Sequence, residues 1–407
     1  MLPLLFTLLA QSAPDLTIWP NEVSSANSDR WLVEHHDEIR RLEPRLLVLD
    51  FVNDVAVADV RKKVDELIAA LAESSRYHGY EDPKAPVYLQ YKVVKLVDLA
   101  DPAPAPKTRN GSSTKYPTVK DWKEGNDFDY SALHSEQFAK YYGFADPKHA
   151  GRFLTLRELI DTGAVNEVWF VARQGDVGGP FECVEQKPVY DEHFARVGSE
   201  HRQCGNGGDD NEPWEGRSLR VNYICWDRGI GCAMEDLGHS FECTAHAGVI
   251  PWFTRYFHEF AGFDLDQRFG LPVDSLYAVD ADGKDKASYP DPHTLVVHHA
   301  GRELRVENYV ASGGNVHFPP NARHDYDLDG PAPVLSTIEH WRRFDGPDGK
   351  DVTIEFTPAR FAKYADLAPD CMGSWLVYWR QNVPGLDNQC LDDERMPMKN
   401  WWPFLFY

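Results

Sequence analysis

Between Arg45 and Leu96 the chain is apolar, then helically periodic, then apolar again, and no other feature constrains its fold as much. Arg45-Leu-Leu-Val-Leu-Asp50 is a compact apolar run of strand length. From Val57 to Ala72 the apolar residues Val60, Val64, Leu67, Ile68 and Leu71 fall on one face of a helix. Val87 to Leu96 reads as a second strand. A strand, a helix and a strand in succession imply parallel pairing, because the helix is long enough to carry the chain back across the sheet. Val168 to Ala172 and Leu219 to Cys225 supply two more buried-strand runs. The stretch from Gln174 to Gly216 is rich in Gly, Asp and Asn and reads as a loop. The expected fold is therefore α/β, with a largely parallel sheet, flanking helices and a loop-rich, aromatic-rich C-terminal part.

The 407 residues, 43% of them hydrophobic, can bury a sizeable core, and residues 13–407 read as a single domain. A loop insertion interrupts it at 101–127, where Pro, Gly, Ser, Asn and Lys dominate and Asn110-Gly-Ser112 forms a glycosylation sequon. With 42 basic against 64 acidic residues the net charge is −22, a surface that repels phosphate backbones. Nucleic acid is thus excluded as the main partner. No apolar run reaches the roughly 18 residues of a membrane span. Residues 1–12 read as a secretory signal peptide: the apolar run Leu2 to Ala10 ends in small residues and the polar segment from Asp15 follows, which places a mature N-terminus between Gln11 and Asp15. The competing reading is a buried N-terminal strand. A secreted protein, extracellular or periplasmic, is free to form disulfides from its seven cysteines. Cys183 with Cys204, and Cys371 with Cys390, flank loop-like sequence and are candidate pairs; the alternative is that most are small buried hydrophobes.

The segment opened by Arg228-Gly-Ile-Gly231 reads as a helix to about Gly248. At about 100° per residue, Cys232, Glu235, Asp236, Glu242, Cys243 and His246 all lie within about 60° of His239. Met234, Leu237, Phe241 and Ala245 take the opposite side. Such a stripe is either a solvated face or the wall of a cleft. A solvated face usually carries Lys or Arg, and none occurs between Cys232 and His246. His239 and Glu242, three apart, can serve one ion or one substrate atom. Their spacing matches no zincin motif, and Gly262 stands where His258-Glu259 would need its second histidine. Gly229 and Gly231 begin a dinucleotide fingerprint, but Met234 occupies its third glycine position, so no nucleotide cofactor is expected. Amides at this helix start, with Arg228 beside them, fit either an anion or a plain tight turn.

Two later segments carry further candidates. In Gly313-Gly-Asn-Val-His317-Phe-Pro-Pro-Asn321, the glycines and prolines hold His317 in a rigid loop, as a site residue or as a packed histidine. Asp325-Tyr-Asp327-Leu-Asp329-Gly330 has the alternating carboxylates of a calcium loop, but Ser336 stands where an EF-hand needs glutamate. It is either a calcium site of another shape or a solvated acidic turn.

Several of these motifs occur together in an uncharacterised family of secreted bacterial proteins, which the chain resembles from about Arg45 to its C-terminus. The resemblance rests on Glu167-Val-Trp169, Pro180-Phe-Glu182, Arg228-Gly-Ile-Gly231, Gly238-His239-x-x-Glu242 and Gly314-Asn-Val-His317-Phe-Pro-Pro-Asn321. It continues through Asp325-Tyr-Asp327, Trp375-x-x-x-Trp379, Pro384 and Asn400-Trp-Trp402. It implies that these separated segments work together, and it brings no activity with it. Gly373-Ser374 stand where the resemblance leads us to expect paired histidines.

Two functions fit this sequence. The first is a secreted hydrolase using a divalent metal, zinc or calcium, on a glycan or peptide. His239, His317, Asp325 and Asp327 are its candidate metal ligands, Glu242 and Glu182 its proton-transfer groups, and Arg228, Trp375 and Trp379 its substrate contacts. His239, Glu242 and His317 are expected to converge in one cleft with Glu182 nearby. The second is a non-catalytic glycan-binding protein with a structural calcium at the Asp325 loop.

Overall fold

The computed structural model describes residues 15–100, 117, 128–173, 180–208, 212–281 and 285–407. The signal peptide, its cleavage point and, apart from Pro117, the insertion at 101–127 with its sequon lie outside them.

The centre is a six-stranded mixed sheet. Its strands are β1 (Arg45–Asp50), β2 (Lys92–Asp98), β3 (Glu167–Ala172), β4 (Cys183–Tyr190), β5 (Arg196–Gln203) and β6 (Leu219–Cys225). They lie in the order β2-β1-β3-β6-β4-β5. The helices are α1 (Val57–Ser74), α2 (Glu136–Tyr142), α3 (Leu156–Asp161), α4 (Ile230–His246), α5 (Pro251–Ala261) and α6 (Gly373–Arg380). The four expected strands pair in parallel, β1 with β2 and β3, and β3 with β6. The second of them starts five residues later than the apolar pattern suggests, at Lys92.

The central strands of the sheet are buried on both faces, whereas the edge strands β2 and β5 are largely open to solvent, and the alternation along β1 and β3 shows the two cores. Leu46 and Val48 of β1, with Trp169 and Val171 of β3, join the core built by α1, α4, α5 and α6. Leu47, Leu49, Val168 and Phe170 point into a second core under α2 and α3. Strands covered on both sides read as continuous apolar runs, which is why these were legible.

The largely parallel sheet is only part of the result. β4 runs antiparallel to β6, and β5 antiparallel to β4, through the stretch expected to be loop. Every residue of β4 is buried, yet its inward side chains include Glu185 and Lys187. These belong to an ionic network rather than an oily face. Arg220 of β6 bridges Glu167 of β3 at 3.0 Å and Glu185 at 3.0 Å. Glu167 also accepts from the Tyr91 hydroxyl, the Trp169 indole and the Asn222 amide. Lys187 Nζ lies 3.0 Å from Glu185 and donates to the Leu405 carbonyl at 2.8 Å, tying the last residues of the chain under the sheet.

The C-terminal half adds a three-stranded antiparallel sheet, β7 (Ala287–Asp291), β8 (Thr294–His299) and β9 (Arg302–Val306), with its own small core. That core contains Phe318, whereas Val316 packs in the main core. His317 is thereby pinned between two hydrophobic anchors. Among the described residues no helix is long and apolar enough to cross a membrane.

The disulfide pairing also differs from expectation. Cys232 at the start of α4 is bonded to Cys371, while Cys183, Cys204 and Cys390 are free and buried. Neither candidate pair forms.

Asp50 closes β1 and tests how burial weighs on a carboxylate. Its Oδ1 accepts the Val52 N–H at 2.9 Å, and its buried Oδ2 meets no hydrogen-bond partner among the described residues. Burial raises its pKa to about 6 against the pull of the Val52 N–H, and the charge of Asp98 adds to the rise. The unfolded chain ionises at the ordinary value of 3.8, so Asp50 costs stability increasingly from about pH 4 to pH 6 and fully above that. Asp50→Asn keeps the acceptor for Val52. We expect a higher Tm than wild type at pH 7.5 and an equal Tm at pH 4, checked by thermal unfolding at both.

Candidate functional site

α4 is the element on which the site is built. Its apolar side, Met234, Leu237, Phe241 and Ala245, enters the main core. Its polar stripe is not solvated either: Glu235, Asp236, His239 and Glu242 are all buried. Only at its end does it reach solvent, where His246 is exposed and Cys243 half-buried. The stripe lines a cleft of about 390 Å³, whose walls also include Glu182, Asn206, Tyr277, His317 and Tyr326.

The helix start is capped from within. The Asp370 carboxylate accepts the amides of Gly229 at 2.8 Å and Gly231 at 2.7 Å. These amides are therefore satisfied by the protein's own anion, and the Arg228-Gly-Ile-Gly231 turn is not a ligand anion site. Gly231 is required here, since a Cβ would stand 1.8 Å from the Asp370 carbonyl oxygen.

The His317 loop meets α4 through a few directed bonds. Glu242 Oε1 accepts the Val316 N–H at 2.8 Å, and Oε2 holds His239 Nδ1 at 2.8 Å. Gly314 turns the loop in the left-handed region, φ +69°, where only glycine clears the Phe318 carbonyl at 2.5 Å. Asn315 Oδ1 accepts the N–H groups of His317 and Phe318. Trp375 and Trp379 of α6 donate their indole N–H groups to the Asn315 and Gly314 carbonyls, both at 2.9 Å. Both tryptophans are 0% exposed. They are not substrate contacts, as expected from the sequence, but the struts that hold the loop.

The result is a tight group of donors. The His239 and His317 rings lie 5.0 Å apart, centre to centre, at nearly a right angle. His317 Nε2 is 3.0 Å from Glu235 Oε1, and His239 Nε2 is 3.9 Å from the same oxygen. Ligand atoms of Glu235, His239 and His317 lie within 4.8 Å of one another, so the three could hold a metal ion. Each imidazole turns its other nitrogen to a second carboxylate: His239 Nδ1 to Glu242, and His317 Nδ1 to Asp325 Oδ1 at 3.7 Å. Tyr326 donates to Glu235 Oε1 and lays its ring 4.3 Å from that of His317. Its backbone sits at φ +60°, a conformation costly for a bulky residue.

Electrostatics here favour positive charge between carboxylates. Burial opposes the charged form of His239, but the neighbouring Glu235 carboxylate and the bond to Glu242 overcome it and raise its pKa to about 10. Burial would raise Glu235, yet His239, His317 and Tyr326 draw it down to about 2. Asp236 is pushed well above the usual carboxylate range by burial and by the nearby charges of Glu182 and Glu235.

The candidate residues therefore divide. His239, Glu242, His317 and Glu182 come together, with Asn206 donating to Glu182 Oε2. Glu242 is not free to move protons, because one carboxylate oxygen holds the loop and the other holds His239. It is a positioning residue. Asp325 stands behind His317 and 3.4 Å from Lys286 Nζ. Asp327 is paired within the protein, its two oxygens taking the Arg323 guanidinium at 2.7 and 2.9 Å. Arg228 is exposed and outside the cleft wall. Glu235 and Tyr326 were missed as site residues, although Glu235 at i−4 from His239 lies on the same stripe. No family model matches the chain, and no curated protein matches it, so the site's geometry carries the functional reading.

The strut role of Trp379 is testable. Trp379→Phe keeps an aromatic ring but leaves the buried Gly314 carbonyl without its donor, and should lower unfolding free energy by at least about 1 kcal/mol in urea titrations. A tryptophan serving only as a substrate contact would leave stability unchanged.

Proposed function

We propose that the protein is a metal-dependent hydrolase whose cation is held by Glu235, His239 and His317. One observation carries this reading: both imidazoles present Nε2 toward the same Glu235 oxygen and Nδ1 toward a separate carboxylate. Histidine metal ligands are oriented in this way, and at His239 the hydrogen bond to Glu242 fixes the tautomer that leaves Nε2 as the donor. Two histidines and one carboxylate leave coordination positions open, as catalytic rather than structural sites do. A bound divalent cation, zinc by this donor set, would polarise a carbonyl and lower the pKa of a water.

The chain's own residues supply the rest. Glu182, lining the cleft and oriented by Asn206, is the group placed to take and return a proton. Tyr326 fixes Glu235 and, half-exposed at the cleft mouth, faces an incoming substrate. The aromatic rings of Phe263, Tyr277 and Tyr326 in the cleft wall suit a glycan or peptide. An internal disulfide accords with a secreted protein. The second reading is a glycan-binding protein braced by calcium at the Asp325 loop, where Asp327 pairs with Arg323.

The test is metal uptake by the oxidised protein. Zinc titration against a chromogenic chelator should give one equivalent per chain, with uptake lost in Glu235→Gln and His239→Ala. Glu242→Gln can still accept the Val316 N–H, but its amide presents a donor to His239 Nδ1 and forces the wrong tautomer. Affinity should fall about 10- to 100-fold with the fold intact by circular dichroism. Uptake unchanged in all three variants would overturn the assignment. Hydrolysis of a peptide or glycan library should stop on chelation and return with zinc.

A further inference from the structure

Glu235 belongs to a second donor set as well. Ligand atoms of Cys232, Glu235 and Cys371 also lie within 4.8 Å of one another. Cys232 precedes Glu235 by three residues on α4 and shares its face. Cys371 arrives from the turn before α6. In the oxidised protein the two sulfurs are bonded to each other, and it is the thiolate, not the disulfide, that binds metals.

Whether the sulfurs stay together after reduction depends on what else holds the turn at 370–373. The disulfide is not its only anchor. The Asp370 carboxylate keeps its bonds to the Gly229 and Gly231 amides. Gly373 packs so closely that a Cβ there would stand 2.5 Å from the Gly231 Cα. Met372 is fully buried in the main core. Cys371 itself is partly exposed, so a reductant can reach the bond.

We propose that reduction of Cys232–Cys371 creates a thiolate metal site from Cys232, Cys371 and Glu235, in competition with His239 and His317 for the Glu235 carboxylate. A dithiol donor gives up two electrons and two protons as it closes its own disulfide, and the Cys232–Cys371 bond opens into two thiols. A soft divalent cation then displaces both thiol protons. Two sulfurs and one oxygen favour zinc or cadmium over calcium or magnesium. Only the competition rests on the histidine site reading; the thiolate site does not.

Cadmium alone is the probe, added to the full chain before and after reduction by a phosphine that is removed without oxygen. The oxidised protein should show no thiolate-to-cadmium charge-transfer band arising from these residues. The reduced protein should gain one that saturates at one equivalent. Cys232→Ser/Cys371→Ser, which keeps every other cysteine, should lack the gain. Glu235→Gln should retain the band and weaken binding about tenfold or more, taking the cost of losing an outer-shell partner as the lower bound. His317→Ala should retain the band and bind cadmium more tightly, since Glu235 is then less contested; this separates the thiolate site from the hydrolase reading. No gain on reduction, or the same gain in the double serine variant, overturns the proposal. So does loss of the band in His317→Ala.

Discussion

A helix buried along its polar stripe cannot leave a charge without a partner, and the architecture around α4 answers that constraint. An unpaired ion in such a place costs several kcal/mol. The first-turn amides and two buried carboxylates of α4 therefore each command something distant: Asp370 for the amides, His317 and Tyr326 for Glu235, and the Val316 amide for Glu242. Asp236 meets the constraint differently: burial and the charges of Glu182 and Glu235 shift its carboxyl toward the neutral form. The His317 loop and the turn before α6 sit where they do because α4 requires their polar groups.

β1, β3, β6 and α1 were legible because the central strands are covered on both faces and the helix has one oily stripe. β4 was not, and the reason is physical. Its buried residues include Glu185, Gln186 and Lys187, whose burial is made tolerable by Arg220 and by the carbonyls of the chain's last residues. Hydropathy cannot reveal a strand whose interior is ionic. Cys232 and Cys371, 139 residues apart, were paired by the fold alone, and no spacing rule reaches that far.

Within the site, the sequence identified the stripe and the loop but not the division of labour. Glu235 and Glu242 occupy nearly the same angular position beside His239. Which one faces the imidazole Nε2 atoms depends on where the His317 loop crosses the helix, and that is set by Val316 in one core and Phe318 in another. The tryptophans of α6 were read as an aromatic surface because tryptophan so often is one. Their indole nitrogens instead reach main-chain carbonyls at the loop's turn.

Those two indole bonds also bear on how the molecule comes into being. The groups that line the cleft or brace its walls are drawn from stretches as far apart as 182–206, 235–246, 263–277, 315–326 and 370–379. Contacts of such sequence separation form slowly, because long segments of chain must be closed before any of them is rewarded. The loop's shape rests in part on α6, whose two indole donors hold the Asn315 and Gly314 carbonyls. A nascent chain still lacking that helix would carry every cleft-lining residue without the two donors that brace the His317 loop.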